Sequence, residues 1–131
     1  MNLYVKNIPE NQKGMIKMQY EAIEQIKVVQ YCNLKKIRMF HTPNGGSRNR
    51  IEAINLKRQG VSSGVPDLCF PIPNRKYHGL FIEMKYGKNK PTENQKRWID
   101  YLNNAGYLAC VCYGANEAIK LIDNYMKEVS V

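Results

Sequence analysis

The chain has 131 residues, a length that suits one domain able to bury a core without disulfides or a structural metal, so we expect residues 1–131 to form a single domain. Its 20 lysines and arginines against 11 aspartates and glutamates give a formal charge of +9, which attracts polyanions such as nucleic acid, although a merely solubilising surface stays open. No signal-peptide stretch and no run of about 18 apolar residues is present, so we expect a cytosolic protein without membrane contact.

The first half of the chain predicts a helix, a strand and a short basic helix. Apolar residues recur at three- and four-residue spacing over residues 15–33, which predicts an amphipathic helix. Its core-facing residues are predicted to be Met15, Met18, Ala22, Ile26 and Val29. A strand is expected within residues 35–42 and a loop at 43–46. Ser47 is then placed to cap a helix over residues 48–60.

The second half predicts two strands, a helix, a strand and a closing helix. The strands are expected at residues 68–70 and 79–86, joined by a hairpin loop. The helix begins after Thr92 and stops at Gly106, with Trp98 among its inward residues and base stacking as the alternative for that side chain. Residues 107–113 are almost continuously apolar, as in a strand buried on both faces, and a helix covers residues 115–126.

The four cysteines are predicted to be reduced thiols of the core. They are Cys32, Cys69, Cys110 and Cys112. No C-x-x-C spacing occurs among them, so a zinc site is the weaker interpretation.

Three charged residues sit where apolar strands are predicted. Asp67 begins one strand, and Glu83 and Lys85 share one face of the next, so pairing of the strands would bring the three side chains together. Mg²⁺ takes oxygen ligands and needs few carboxylates, and the backbone carbonyl of Met84 could add another oxygen. A solvated salt bridge is the alternative interpretation of Glu83 and Lys85.

The motifs "GVPD", "EMK" and "TENQKRWIDYLNNAGY", together with "EAIEQ" and "HTPNGGSRNR", resemble the VRR-NUC branch of the PD-(D/E)XK nucleases, and especially its small stand-alone members from phages and bacteria. The resemblance covers most of the chain. It implies an α/β, restriction-endonuclease-like fold with an αβββαβ core, in which helices flank a mixed central sheet. It also implies a bacterial cytoplasmic location, with a phage gene as one origin.

The resemblance assigns roles to individual residues. It implies that Asp67 and Glu83 bind the metal and that Lys85 is catalytic. The glutamate that many members carry on the first helix falls on Glu21, with Glu24 as the alternative, and is implied to complete the metal's shell or to recruit a second ion. The family glutamine falls on Gln95, which also fits a capping box with Thr92.

Residues near these motifs are candidates for DNA contact. The glycine-rich loop could bring backbone N–H groups and arginines close to phosphates, and basic side chains elsewhere could contact the DNA backbone. The candidates are Asn44, Gly45, Gly46, Arg48, Arg50, Lys57, Arg58, Lys88, Lys90 and Lys96. His41 and His78 are not predicted to be metal ligands.

These observations lead to one principal hypothesis and two alternatives. We expect an endodeoxyribonuclease that uses Mg²⁺, or Mn²⁺, to hydrolyse phosphodiester bonds, and that resolves four-way (Holliday) junctions as a homodimer. A C₂ dimer suits such a junction because it presents two strands for symmetric cutting. The alternatives are a DNA-binding scaffold that does not cut and a nuclease that acts on unbranched DNA.

Overall fold

The structure is a computed structural model that describes residues 9–43 and 49–130, without the side chains of residue 11 and residues 15–18. Four helices and four strands occur in these ranges. In chain order they are α1 (Glu10–Lys35), β1 (Phe40–His41), α2 (Arg50–Arg58), β2 (Leu68–Phe70), β3 (Leu80–Lys85), α3 (Glu93–Asn104), β4 (Leu108–Tyr113) and α4 (Ala115–Lys127). This order confirms the predicted one, including the inserted basic helix. No helix in the described ranges is long and apolar enough to cross a membrane.

The strands form one mixed sheet in the order β1-β2-β3-β4. β1 and β3 both pair antiparallel with β2, and β4 pairs parallel with β3. The antiparallel register sets Leu68 opposite Ile82. One step further along this register, Asp67 comes opposite Glu83. The mixed sheet flanked by helices confirms the predicted fold class.

The two faces of β3 serve different purposes. Its even-numbered residues, Leu80, Ile82 and Met84, are almost fully buried in a core that includes Val28 of α1 and Ile122 of α4. The odd-numbered residues face α3 and its neighbours: Phe81 packs edge-on against Tyr107, and Glu83 reaches α3. α1 and α4 therefore cover one face of the central strand, and α3 covers the other.

The predicted core face of α1 is wrong. Ala22 and Ile26 are exposed and Val29 is only half-buried, and the helix turns Val28 and Cys32 inward instead. Met15 and Met18 lie outside the described side chains. The inward face carries polar residues in its N-terminal half, among them the half-buried Glu21 and Gln25. An apolar pattern could not locate a face whose first turns are polar.

Two strand predictions also need correction. The strand expected within residues 35–42 is only Phe40–His41, because α1 continues to Lys35 and ends in a left-handed Lys36. β4 is not buried on both faces: it is an edge strand, so Tyr113 is exposed and Cys110 only half-buried. All four cysteines are free thiols, as predicted. Those besides Cys110 are buried: Cys32, Cys69 and Cys112.

The caps of α2 and α3 show how sequence sets a helix start. Asn49, not Ser47, caps α2, since its side chain accepts the backbone N–H of Glu52 at 2.8 Å. Ser47 itself lies outside the described residues. The predicted cap of α3 is confirmed: Thr92 Oγ1 accepts the N–H of Gln95 at 3.2 Å, and Gln95 Oε1 accepts the N–H of Thr92 at 2.8 Å.

Candidate active site

Asp67 and Glu83 meet at the C-terminal end of β3 through reciprocal backbone contacts. The N–H of Asp67 donates to Glu83 Oε2 at 3.2 Å, and the N–H of Met84 donates to Asp67 Oδ2 at 2.8 Å. Each carboxylate is thus held by the strand that carries the other. Glu83 is buried and Asp67 half-buried, which excludes a solvated ion pair on the sheet surface.

A glycine brings the segment before Asp67 into position. Gly64 has φ +90°, and a Cβ there would lie 2.5 Å from the backbone carbonyl carbon of Asn94. Only glycine combines that backbone conformation with so close an approach. The first residue of the "GVPD" motif therefore docks the loop against the first turn of α3, and the last residue enters the site.

Burial and mutual repulsion disfavour two negative charges on the carboxylate pair. Burial, followed by the negative charge of Asp67, raises the pKa of Glu83 to about 8, while Lys85 opposes the rise. Burial also raises the pKa of Asp67, although the N–H of Met84 opposes it. Two neighbouring carboxylates with raised pKa values are more stable when they share a proton or bind a cation than when both carry an uncompensated negative charge.

Lys85 completes the charged group at this end of the strand. Its Nζ lies 3.5 Å from Glu83 Oε1, and the residue is only 6% exposed. A buried ammonium is costly unless it is paired, and Glu83 supplies the partner. The positive charge is therefore held against the carboxylate pair.

Gln95 performs both of the tasks that its sequence suggests. Its Oε1 serves the capping box, and its Nε2 donates to Glu83 Oε1 at 2.7 Å. One amide thus ties the start of α3 to the buried carboxylate. This contact fixes the orientation of Glu83.

The residues present fit a divalent cation. Mg²⁺ needs only one or two carboxylates and fills its shell with water and phosphate oxygens, so the Asp67 and Glu83 pair is sufficient. In the described ranges, no group of three or more His, Cys, Asp or Glu side chains could hold a metal ion. The carbonyl of Met84, between Glu83 and Lys85, stays a predicted further oxygen.

Glu21 and Glu24 differ in what their carboxylates contact. Glu24 Oε1 accepts the N–H of Ala115 at 3.4 Å, and Glu24 Oε2 lies 2.7 Å from Lys27 Nζ. Lys27 lowers the pKa of Glu24. Glu24 thus serves the start of α4. Glu21 Oε1 accepts from Asn89 Nδ2 at 2.8 Å, in the loop after β3, so Glu21 is the better candidate.

The helix glutamate nevertheless does not join the carboxylate pair. α1 packs on the face of β3 opposite to Glu83 and Lys85. Glu21 flanks the end of the strand from that side, and its metal-binding role stays a prediction.

Sequence reasoning missed His41 and Gln25 as neighbours of the site. His41 Nδ1 lies 2.9 Å from the carbonyl oxygen of Asp67 and 3.2 Å from Gln25 Nε2. The carbonyl oxygen only accepts, so the contact with Asp67 requires a proton on Nδ1, whereas the contact with the amide nitrogen of Gln25 requires an unprotonated Nδ1. Both residues occur in the motifs of the resemblance, "HTPNGGSRNR" and "EAIEQ", and that position was the available signal.

The predicted DNA-contact residues are only partly described. Asn44, Gly45, Gly46 and Arg48 lie outside the described residues. The others are all exposed, as DNA contacts require: Arg50, Lys57, Arg58, Lys88, Lys90 and Lys96. Their part in binding DNA stays a prediction.

Comparisons with known proteins identify the family. The model of the VRR-NUC domain matches residues 10–116. A solved structure described as a VRR_NUC domain protein is similar, with 33% sequence identity and a TM-score of 0.75 over 85% of this chain and 91% of that one. No curated protein matches the chain. Since the family match covers most of its residues, the chain belongs to the VRR-NUC domain family, which implies a nuclease-type function with DNA as substrate.

Proposed function

We propose that the protein is a divalent-metal-dependent endonuclease that hydrolyses phosphodiester bonds in branched DNA. The observation that carries the proposal is the buried arrangement at the end of β3. There Asp67 and Glu83 hold each other through backbone N–H groups, and Lys85 Nζ stands 3.5 Å from Glu83. This combination suits phosphodiester hydrolysis, in which a water attacks phosphorus and the leaving alcohol takes up a proton.

Each residue has a distinct task in the proposed reaction. Asp67 and Glu83 would hold Mg²⁺ or Mn²⁺, and Gln95 keeps Glu83 in orientation through its 2.7 Å hydrogen bond. The cation would supply charge stabilisation at the phosphate and lower the pKa of a water. Lys85 is placed to orient the attacking water and to neutralise negative charge on the phosphate. Glu21, which hydrogen-bonds Asn89 in the loop after β3, would act on the cation from beyond the end of the strand.

We further propose that the protein acts as a homodimer on four-way junctions. Two active sites related by a two-fold axis suit a junction with two equivalent strands. An exposed apolar stripe on α1 supports dimerisation: Ile23, Ile26 and Leu34 are 48%, 55% and 82% exposed. Pairing with a second copy would remove this surface from water.

The hydrolysis proposal is tested by cleavage of a labelled four-way junction and a linear duplex of the same sequence. Wild type and Asp67→Asn are compared, with Mg²⁺ and with chelator, beside the isosteric control Asp100→Asn on the exposed side of α3. We expect paired cuts near the branch point that need metal and Asp67 and are unaffected by Asp100→Asn.

Other outcomes would select an alternative. Equal cutting of junction and duplex would replace the junction proposal with a nuclease of unbranched DNA. Binding without cutting, under every metal tried, would leave a non-catalytic scaffold. Sedimentation that finds only monomer, with and without junction DNA, would contradict the homodimer.

A further inference from the structure

A groove of about 1010 Å³ lies between α2 and α3, beside the carboxylate pair. We call it the α2–α3 groove; its walls come from α2, the loop at residues 60–64 and the start of α3. The residues that matter for its chemistry are Leu56, Lys57, Ser62, Gln95, Arg97 and Trp98. Its volume is at the upper end of the range for ligand sites, roughly 300–1,000 Å³, so a nucleotide-sized group fits.

The walls of the groove are joined by side-chain hydrogen bonds that the carboxylate site does not need. Trp98 Nε1 donates to Ser62 Oγ at 3.2 Å, and Asn94 Nδ2 donates to Ser63 Oγ at 3.2 Å. The close approach of Gly64 to Asn94 adds a backbone contact between loop and helix. These contacts hold one wall of the groove, the loop at residues 60–64, against α3.

Trp98 is not the core residue that the helix pattern predicts. It is only half-buried, and Tyr101 packs edge-on against it, with ring centroids 5.9 Å apart. The Ser62 contact fixes the indole plane from one end. A large aromatic ring is thus held in place at a surface open to solvent, where it can accept a flat ligand.

The lining combines an aromatic wall with positive charge. Trp98 and Leu56 offer apolar surface, and Lys57 and Arg97 are exposed cations of the same groove. A matching ligand has a flat apolar face and a negative charge, which describes a nucleotide. The faces of bases are stacked inside duplex DNA, so this lining suits unpaired nucleotides, whose bases stack on aromatic side chains.

The α2–α3 groove shares Gln95 with the candidate active site. Gln95 lines the groove and also donates to Glu83. Trp98 follows Gln95 by three residues, so both side chains lie on one side of α3, separated by about 4.5 Å of helix rise. A strand with its scissile phosphate at the carboxylate pair would bring a base one or two nucleotides away to Trp98.

We propose that the α2–α3 groove binds unpaired nucleotides of the DNA substrate, with a base against Trp98 and phosphates against Lys57 and Arg97. The inference rests on the proposed nuclease function for its choice of DNA as the ligand. It adds a preference within the proposed cleavage of branched DNA: substrates with unpaired nucleotides beside the cut bind more tightly than fully paired ones, and a four-way junction uses the groove only where bases open at its branch point.

The first test uses the intrinsic fluorescence of the wild-type protein. Trp98 is the single tryptophan of the chain, so its emission reports on the surroundings of this one side chain. The protein is titrated in chelator, which prevents cleavage, with a single-stranded oligonucleotide, an abasic strand of equal length and charge, and a blunt duplex. We expect the base-containing strand to quench the emission and to bind more tightly than the other two.

The second test uses variants and the anisotropy of a labelled single strand. Trp98→Leu should weaken binding by about 5- to 150-fold, the range measured for loss of one stacked base. Arg97→Gln should weaken binding and reduce its salt dependence. The matched control is Lys127→Gln, an exposed cation on α4. Circular dichroism checks that each variant folds. The fluorescence titration uses wild-type protein, so it tests the inference even if a variant fails to fold.

Three results would overturn the inference. These are equal affinity for base-containing and abasic strands, emission unchanged on binding, and emission that changes with protein concentration alone, which would mean that a second copy fills the groove. The two proposals fail separately. Quenching by single strands without any cleavage would support nucleotide binding in the groove and contradict the nuclease function. Metal-dependent cleavage without quenching would support the nuclease function and contradict nucleotide binding in the groove.

Discussion

The end of β3 and the α2–α3 groove are neighbours that meet at Gln95, yet they are built in opposite ways. At the end of β3, Glu83 and Lys85 are 3% and 6% exposed, and each charged group has a partner within 3.5 Å. In the groove, Trp98 is half-buried, and Lys57 and Arg97 project into solvent.

The difference matches the two tasks that we propose. Catalysis gains most from charges that are held in place and shielded from water, because no reorganisation is then needed at the moment of reaction. Recognition of a flexible strand needs an open surface with adaptable contacts. Variants at the end of β3 should therefore lower the cleavage rate, and variants in the groove should weaken DNA binding.

The largest effect is expected for Lys85→Ala. Loss of a group that orients water and neutralises charge should lower kcat by about 10²- to 10⁴-fold, with DNA binding almost unchanged. Lys88→Ala removes an exposed cation three residues further on and should change kcat only slightly. Single-turnover cleavage, with separate binding in chelator, measures both quantities. Equal losses in the two variants would show that Lys85 acts merely as another surface charge.

The second effect concerns the two roles of Gln95. Gln95→Glu keeps an acceptor for the N–H of Thr92 but cannot donate to Glu83, so we expect cleavage to fall by about 10- to 100-fold. Thr92→Val removes the cap alone and should cost about 1 kcal/mol of stability while cleavage is retained. Thermal unfolding and cleavage rates of both variants provide the comparison. Similar changes in melting temperature and in cleavage rate for Gln95→Glu and Thr92→Val would mean that Gln95 is only a capping residue.

The end of β3 was largely predictable from sequence, because strand parity and element order suffice. Glu83 and Lys85 are two residues apart and must share a face of a strand. Asp67 precedes a short strand joined to β3 by a hairpin, so the antiparallel register carries it to Glu83. The capping box at Thr92 is a local pattern, and it places Gln95 at the start of α3.

The groove and the inward face of α1 were not predictable, because tertiary contacts determine them. Trp98 appears inward on a helical pattern, but its neighbour is Ser62, 36 residues earlier in the chain. The same holds for α1, where the inward positions near the site are polar and Ile26 is exposed. Binary patterning finds apolar faces and overlooks a helix face that is partly reserved for polar contacts.

A smaller effect is expected from pH in the metal-free protein. The pKa of Glu83 rises from 4.5 to about 8 on folding, so between these values the folded state keeps a proton that the unfolded state releases. The stability due to this group is fully present below pH 4.5 and is lost as the pH rises through about 8. Melting temperatures in chelator should therefore fall with pH more steeply for wild type than for Glu83→Gln.

Added Mg²⁺ sharpens this test. Cations bind the deprotonated carboxylates, so Mg²⁺ should restore the melting temperature of wild type mainly at the alkaline end and leave Glu83→Gln nearly unchanged. Parallel pH profiles for the two proteins would contradict the raised pKa. An equal response of both to Mg²⁺ would place the cation elsewhere.

The smallest effect is expected for His41→Ala, which probes how far the ordered region extends from the carboxylates. His41 contacts the carbonyl oxygen of Asp67 at 2.9 Å, at the exposed edge of the sheet on the two-residue strand β1. A neutral hydrogen bond contributes about 0.5–1.5 kcal/mol, so its loss should lower kcat by no more than about ten-fold. His78→Ala is the control, because His78 packs against Tyr107 at the other end of the sheet.

The substitutions of the two histidines should therefore affect different quantities. His41→Ala should reduce cleavage at saturating Mg²⁺ with little change in the melting temperature, because an exposed contact that positions the backbone of Asp67 adds little to global stability. His78→Ala removes an edge-on contact with Tyr107 at the other end of the sheet, so it should leave cleavage unchanged and, because His78 is also exposed, lower the melting temperature only slightly. If His41→Ala instead abolished cleavage, the imidazole of His41 would take part in the reaction itself, and the active site would extend to the edge of the sheet.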